Sequence, residues 1–278
     1  MGDLLVACTE HLPARACLSQ RECGWPYDAV VPTLLAVIPH PDDESYSFAG
    51  TIALAARAGW RCLVECVTFG ERGERHDGGD AEPGMLALAR ARELDESCKL
   101  LGARPPAFWG WPDGGLQGRT DGARRTRSVI RRANADVVLS LGADGAYGHP
   151  DHVAVQRWVA EALEGLEEPP PGVFAVFPRG LFIPQYKKCV ASGIMGDPPT
   201  LQPGQIGVDA PDLRISVGAV RDLKLRAIAA HRSQLPGGVP EGLFPPGIVD
   251  SLLDEEWFVA PQDHEGVSEL VRALAPPG

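Results

Sequence analysis

Two short segments gather the side chains best able to do chemistry: His40-Pro41-Asp42-Asp43-Glu44 and Gly145-Ala146-Tyr147-Gly148-His149-Pro150-Asp151-His152. Both contain His-Pro-Asp. Together they offer His40, Asp43 and His152 as three nitrogen and oxygen donors, a set that suits zinc. Three protein donors leave a fourth position for water, which marks a catalytic rather than a structural zinc site. Iron(II) fits the same donors. The remaining acids and His149 are then available for proton transfer. Crowded carboxylates repel one another unless a cation or a proton relieves them. The plainer reading of the first segment is a helix start, where aspartate caps and suits the dipole. A cap does not call for histidine in either segment.

Each segment needs a strand before it and a helix after it. Thr33 to Ile38 is an apolar run that reads as a buried strand, and Ser45 to Ala58 has helical spacing. Asp136 to Ser140 and Val153 to Leu163 repeat the arrangement around the second segment. Between them the pattern predicts a strand over 61–68, a helix over 85–101 closed by Gly102, a strand over 107–109 and a helix over 122–133. A strand over 173–177 follows. Prolines interrupt 179–211, which reads as strands and loops forming a wall of the pocket. A helix spans 217–230, and the Gly- and Pro-rich tail from Pro236 carries the weakest pattern. Alternating strands and helices predict a Rossmann-like α/β fold: a parallel sheet with helices on both faces, in a single domain with extra strands and loops in the C-terminal part. No Gly-rich dinucleotide fingerprint follows the first strand. In such sheets ligands bind beyond the carboxyl ends of the strands, where both segments fall.

From Leu34 to Gln234 the chain resembles the PIG-L (LmbE-like) family of zinc-dependent de-N-acetylases, on the strength of the paired His-Pro-Asp motifs. The resemblance implies metal ligation by His40, Asp43 and His152, with Asp42 as general base. Thr68, Gly70 and Glu71 match a Thr-x-Gly-Glu segment. Arg90, in Arg90-Ala91-Arg92-Glu93-Leu94, would contact polar groups of the substrate, whereas Arg92 reads as a solvated face. Asp113 would bind a sugar hydroxyl, or else serve as a turn residue. Trp109 and Trp111 would stack on a sugar or pack in the core. His231-Arg232-Ser233-Gln234 matches a closing motif read as structural support near the pocket.

The implied activity is removal of the N-acetyl group from an N-acetylglucosamine conjugate, in low-molecular-weight thiol biosynthesis. Asp42 would take a proton from the attacking water, and His149, if protonated, would stabilise the oxyanion or act as a rival acid. Tyr147 would touch the tetrahedral intermediate, with a packing or turn role equally open. Glu44 would support the helix start or contact a ligand. Two alternatives stand beside this reading. One is an amidase for a larger thiol–sugar amide. The other is a metal-dependent carbohydrate-binding protein without turnover, which would need neither Asp42 nor His149.

With 278 residues, 44% of them hydrophobic and 23% charged, the chain can bury one large α/β core. A net charge of −11 argues against nucleic acid or an anionic membrane as partner. The expected partner is a small amino-sugar conjugate, and a homo-oligomer is compatible with the sequence. No apolar run reaches a membrane-spanning length and no secretory signal is evident. The seven cysteines form no Cys-x-x-Cys pair, so the expectation is a cytoplasmic protein with free thiols. Residues 1–30, with Cys8, Cys17 and Cys23, read as an N-terminal extension to a domain over 31–278.

Overall fold

Thr33–Ile38 forms β1, buried along its whole length because both faces of the strand are covered. The computed structural model describes residues 31–240, 247–261 and 264–274; the expected N-terminal extension and its three cysteines lie outside the described residues. Leu34, Ala36 and Ile38 point to one apolar layer, and Leu35 and Val37 to the other, as the two-residue period of a strand requires.

The strands that follow are β2 (Arg61–Cys66), β3 (Ala107–Phe108), β4 (Val137–Leu141), β5 (Gly172–Val176), β6 (Leu213–Ser216) and β7 (Glu255–Val259). They form one sheet in the order β3-β2-β1-β4-β5-β7-β6. The first five in that order run parallel. The last two are antiparallel additions, β7 beside β5 and β6 beside β7. The helices are α1 (Asp43–Ser47), α2 (Ala49–Arg57), α3 (Pro83–Leu101), α4 (Gly122–Ala133), the single distorted turn α5 (Gly145–Gly148), α6 (Pro150–Glu164), α7 (Ile183–Ala191), α8 (Arg221–Ala230), α9 (Ile248–Asp254) and α10 (Glu265–Leu274). Residues of α2, α3, α8 and α10 join one apolar layer, and residues of α4 and α6 join the other.

The chain leaves β1 toward β2 and β3, then returns to lay β4 on the opposite side of β1. The carboxyl ends of β1 and β4 therefore border a topological switch point, the usual ligand crevice of an open α/β sheet. This topology brings the two His-Pro-Asp segments to one place.

Two departures from the sequence reading have physical causes. The helix expected over 45–58 is broken at Phe48, whose φ is −155°. The N–H groups of Gly50 and Thr51 donate instead to the Glu256 carboxylate, at 2.7 and 2.8 Å, across 206 and 205 positions of sequence. The region 179–211 contains a helix, α7, and only one isolated strand-like bridge, Pro178 to Val208. Pro184 there occupies the first helical turn, where a missing N–H costs nothing. The extra strands expected in the C-terminal part are β6 and β7, which continue the parallel sheet in antiparallel pairing beyond β5.

Candidate metal centre and active site

His40 stands just past the end of β1, and Asp43 opens α1 after a tight turn. The His40 backbone N–H donates to Asp43 Oδ2 at 2.9 Å, which folds the carboxylate back toward the imidazole. His152 comes from the first turn of α6, across the switch point. His40 Nδ1 lies 3.1 Å from His152 Nε2 and 3.5 Å from Asp43 Oδ2, and His152 Nε2 lies 3.4 Å from Asp43 Oδ1. All three side chains are buried.

The hydrogen bonds on the far side of each ring fix the tautomers. His152 Nδ1 faces the Gly145 carbonyl oxygen at 3.1 Å, an acceptor only, so Nδ1 carries the proton and Nε2 a lone pair. His40 Nε2 faces Asp113 Oδ1 at 3.1 Å and Asp151 Oδ2 at 3.4 Å, so it too carries a proton. Two lone pairs and a carboxylate thus converge. Burial alone would lower the His40 pKa, but Asp113, Asp151 and Asp43 outweigh it and raise it well above the ordinary value. The surroundings therefore favour positive charge at this spot. A proton on Nδ1 could serve one acceptor at a time; a divalent cation would serve all three. The donor set fits a metal.

Asp151, one of the remaining acids available for proton transfer in the sequence, holds His40 instead. Its carboxylate turns away from the cleft and accepts from the N–H groups of Gly114 and Leu116 at 2.7 and 3.0 Å, while holding His40. Its position inside the second His-Pro-Asp was the available signal. Burial works to raise its pKa, and the His40 contact outweighs this and lowers it.

Asp42 faces a cleft of about 390 Å³ that His40, Arg90, Asp113, Tyr147 and His149 also line. Its backbone is unusual, with φ 121° and ψ −26°. Such a conformation in a non-glycine residue costs on the order of 1–3 kcal/mol and persists only where the surroundings impose it. Burial raises the Asp42 carboxyl to about 6, with Arg90 pulling down and Asp43 pushing up. Burial also works to raise Asp43, but His152 and His40 bring it down to about 2. The two adjacent carboxyls therefore differ in environment as well as direction.

Arg90 borders the cleft, yet its guanidinium is committed to the backbone. It donates to Gly70 O at 2.8 Å and Pro41 O at 2.5 Å, and lies 3.2 Å from Asp42 Oδ2. Gly70 permits this approach, since a Cβ there would sit 2.3 Å from Arg90 Nη1. Asp113 also lines the cleft, but accepts from Arg72 N at 2.9 Å besides contacting His40. Glu71 fixes that loop by accepting from Asp113 N at 2.9 Å. His149 caps α6: its Nδ1 accepts from Asp151 N at 3.2 Å, which leaves Nε2–H as a donor. Burial first, then His152 and His40, lower its pKa, so that donor is a neutral imidazole. Tyr147 stacks edge-on against His152, with ring centres 5.1 Å apart. Trp109 and Trp111 pack against the α4–α6 layer, Trp109 donating to Glu65 and Trp111 lying under Arg119. His231 is buried against Glu44.

Residues 35–163 match the PIG-L family, GlcNAc-PI de-N-acetylase. A relative from Nakamurella multipartita, 1D-myo-inositol 2-acetamido-2-deoxy-alpha-D-glucopyranoside deacetylase, is 34% identical over 256 residues, covering 77% of this chain and 84% of its own. Among solved structures, the N,N'-diacetylchitobiose deacetylase of Pyrococcus horikoshii is 22% identical with a TM-score of 0.58, covering 86% of each chain. The 4-carboxy-2-hydroxymuconate hydratase of Pseudomonas putida is also 22% identical, with a TM-score of 0.61 over 84% of this chain and 99% of its own. A deacetylase and a hydratase sharing one fold show that the fold alone does not choose the reaction. The family match and the Nakamurella relative go further: the chain belongs to the PIG-L family.

Proposed function

We propose that this protein is a metal-dependent hydrolase that removes the N-acetyl group from an N-acetylglucosamine conjugate, with the inositol-linked sugar as first candidate. The observation that carries the reading is the convergence of His40 Nδ1, His152 Nε2 and the Asp43 carboxylate, with the Asp42 carboxylate beside them. The name of the Nakamurella relative supports the substrate class; a role in low-molecular-weight thiol biosynthesis is part of the proposal. Residues 31–278 make up the catalytic unit in this proposal.

His40, Asp43 and His152 would hold the metal, zinc by choice of donors, with iron(II) as the other candidate. Such a cation supplies Lewis-acid chemistry, polarising the amide carbonyl and easing the deprotonation of water. Asp113 and Asp151 keep the His40 proton on Nε2, so that Nδ1 presents its lone pair. Asp42 takes a proton from the attacking water as its oxygen bonds to the acetyl carbon. His149 and Tyr147 both line the cleft, and their Nε2–H and hydroxyl would donate to the oxygen that gains charge. The C–N bond then breaks, and Asp42 returns its proton to the leaving amine. Arg90 and Asp113 border the sugar's side of the cleft; Arg90 also fixes the Asp42 carboxylate.

Among the described residues no helix is long and apolar enough to cross a membrane. Among the described residues Cys62, Cys66, Cys98 and Cys189 are free thiols; a cytoplasmic location is part of the proposal. The test is acetate release from a panel of conjugates: free N-acetylglucosamine, its malate glycoside and its inositol glycoside. The expected result is chelator-sensitive release that is fastest with the inositol glycoside. Release indifferent to chelator and metal removal would sink the metal reading. Retained N-acetyl groups with cleavage of a larger amide would favour the amidase.

A further inference from the structure

Glu44 and His231 take no part in the chemistry described above, yet both are fully buried beneath the residue that does. Glu44 Oε2 accepts from the Asp42 backbone N–H at 3.1 Å. Its Oε1 accepts from Ser97 Oγ at 2.6 Å and faces His231 Nε2 at 2.7 Å. Ser97 belongs to α3 and His231 to the turn after α8. That turn is itself fixed to α3, because Ser233 donates to Glu93 from its amide and its hydroxyl, each at 2.7 Å. The Asp42 peptide, in its rare positive-φ conformation, is thus gripped from both sides. Arg90 holds the carboxylate and the Pro41 carbonyl. Glu44 holds the N–H, and Ser45 holds the carbonyl through its amide at 2.9 Å and its hydroxyl at 2.7 Å.

A carboxylate is costly to bury unless it is paired and hydrogen-bonded, and the imidazole, the serine hydroxyl and the Asp42 N–H that satisfy Glu44 also fix its direction. A helix start needs no such arrangement: α6 opens with His149 and Pro150 alone. We propose that Glu44, oriented by His231 and Ser97, is a positioning residue that sets the rotation of the Asp42 peptide and so the direction of its carboxylate. The proposal rests on Asp42 acting as the general base. Glu44 touches no substrate; it acts only through Asp42. The His231-to-Gln234 turn then serves the reaction from a distance, by orienting Glu44.

A double-mutant cycle on the full chain, loaded with zinc and assayed with the inositol N-acetylglucosaminide, tests this. Glu44→Ala should lower kcat by about 10² while KM changes less than about threefold. Glu44→Gln keeps a carbonyl oxygen for the Asp42 N–H and should return kcat to within about tenfold of the parent. In an Asp42→Asn background, Glu44→Ala should cost less than about threefold, because its only route of action is already gone. An equal loss in both backgrounds would overturn the proposal, as would a loss confined to the folded fraction with kcat per folded molecule unchanged. Should Glu44→Ala fail to fold, His231→Leu carries the same cycle, with His231→Asn as the variant that restores an N–H donor. Asp42→Asn alone separates the two readings. Parent-like turnover in that variant removes the base assignment itself, whereas an inactive Asp42→Asn with additive Glu44 losses removes only the positioning role.

Discussion

The two His-Pro-Asp segments read alike and are built differently. In the first, the imidazole of His40 faces the metal centre and the Asp42 carboxylate faces the cleft. In the second, the assignments reverse: His149 faces the cleft, and Asp151 turns inward to hold His40. The cause is where the helix begins. α1 begins at Asp43, after the tripeptide, so Asp42 stands at the cap position, where Arg90, Glu44 and Ser45 hold its peptide at a positive φ. α6 begins at Pro150, inside the tripeptide, so His149 is the cap and Asp151 lies on the helix. The same three residues acquire opposite roles from a shift in helix start. The second segment opens locally, with Pro150 in the first turn and His149 as cap. The first depends on remote groups, namely Glu256 for α2, and Arg90 and His231 for the turn.

That contrast can be broken most forcefully within the second segment. His152→Ala should remove most of the bound metal and with it turnover, whereas His149→Ala should keep metal and lower kcat by about 10². Elemental analysis of both variants decides it; full occupancy in His152→Ala would remove that residue from the donor set.

The remote dependence of the first segment predicts a stability effect. Glu256 and Lys224 are both fully buried and paired at 2.7 Å, and Glu256 also caps α2. Glu256→Ala leaves the Lys224 ammonium buried without its partner, a loss of about 3–5 kcal/mol. Urea unfolding should show it. A change under about 1 kcal/mol would mean that the break at Phe48 is held by something else.

A smaller effect concerns pH. Burial works to lower the His231 pKa, but Glu44 outweighs it and raises it above the ordinary 6.5. The folded state then holds a proton that the unfolded state has released. The contribution is full below about 6.5 and is lost as pH rises through the folded pKa. Denaturant unfolding between about pH 6 and 9 should show parent stability falling relative to His231→Asn. Parallel curves would contradict the charged pair.

The sequence makes some of this plain. The bounds of β1 follow from an unbroken apolar run, and those of α4 from its helical spacing. The end of α3 follows from Gly102, whose φ of 78° suits glycine. Its start is less legible, because Pro83 opens the helix and the cap is a Glu82 side chain. The break at Phe48 is hidden, since the carboxylate that causes it lies on β7. In the site, the sequence shows that two acid- and histidine-bearing turns open at the carboxyl ends of strands. It does not show which acid faces which way. Asp42, Asp113 and Asp151 differ in the groups that claim them, a guanidinium for Asp42 and backbone N–H groups with the His40 ring for the other two, and those partners come from other elements.

One measurement tests the reversed roles directly: metal content and kcat determined together on Asp42→Asn and Asp151→Asn. Asp42→Asn should bind metal like the parent and lose at least about 10² in kcat. Asp151→Asn should lose about 10–100-fold in metal affinity while keeping near-parental kcat per bound metal. Metal loss in Asp42→Asn, or parental turnover in it, would contradict the division of labour between the two aspartates.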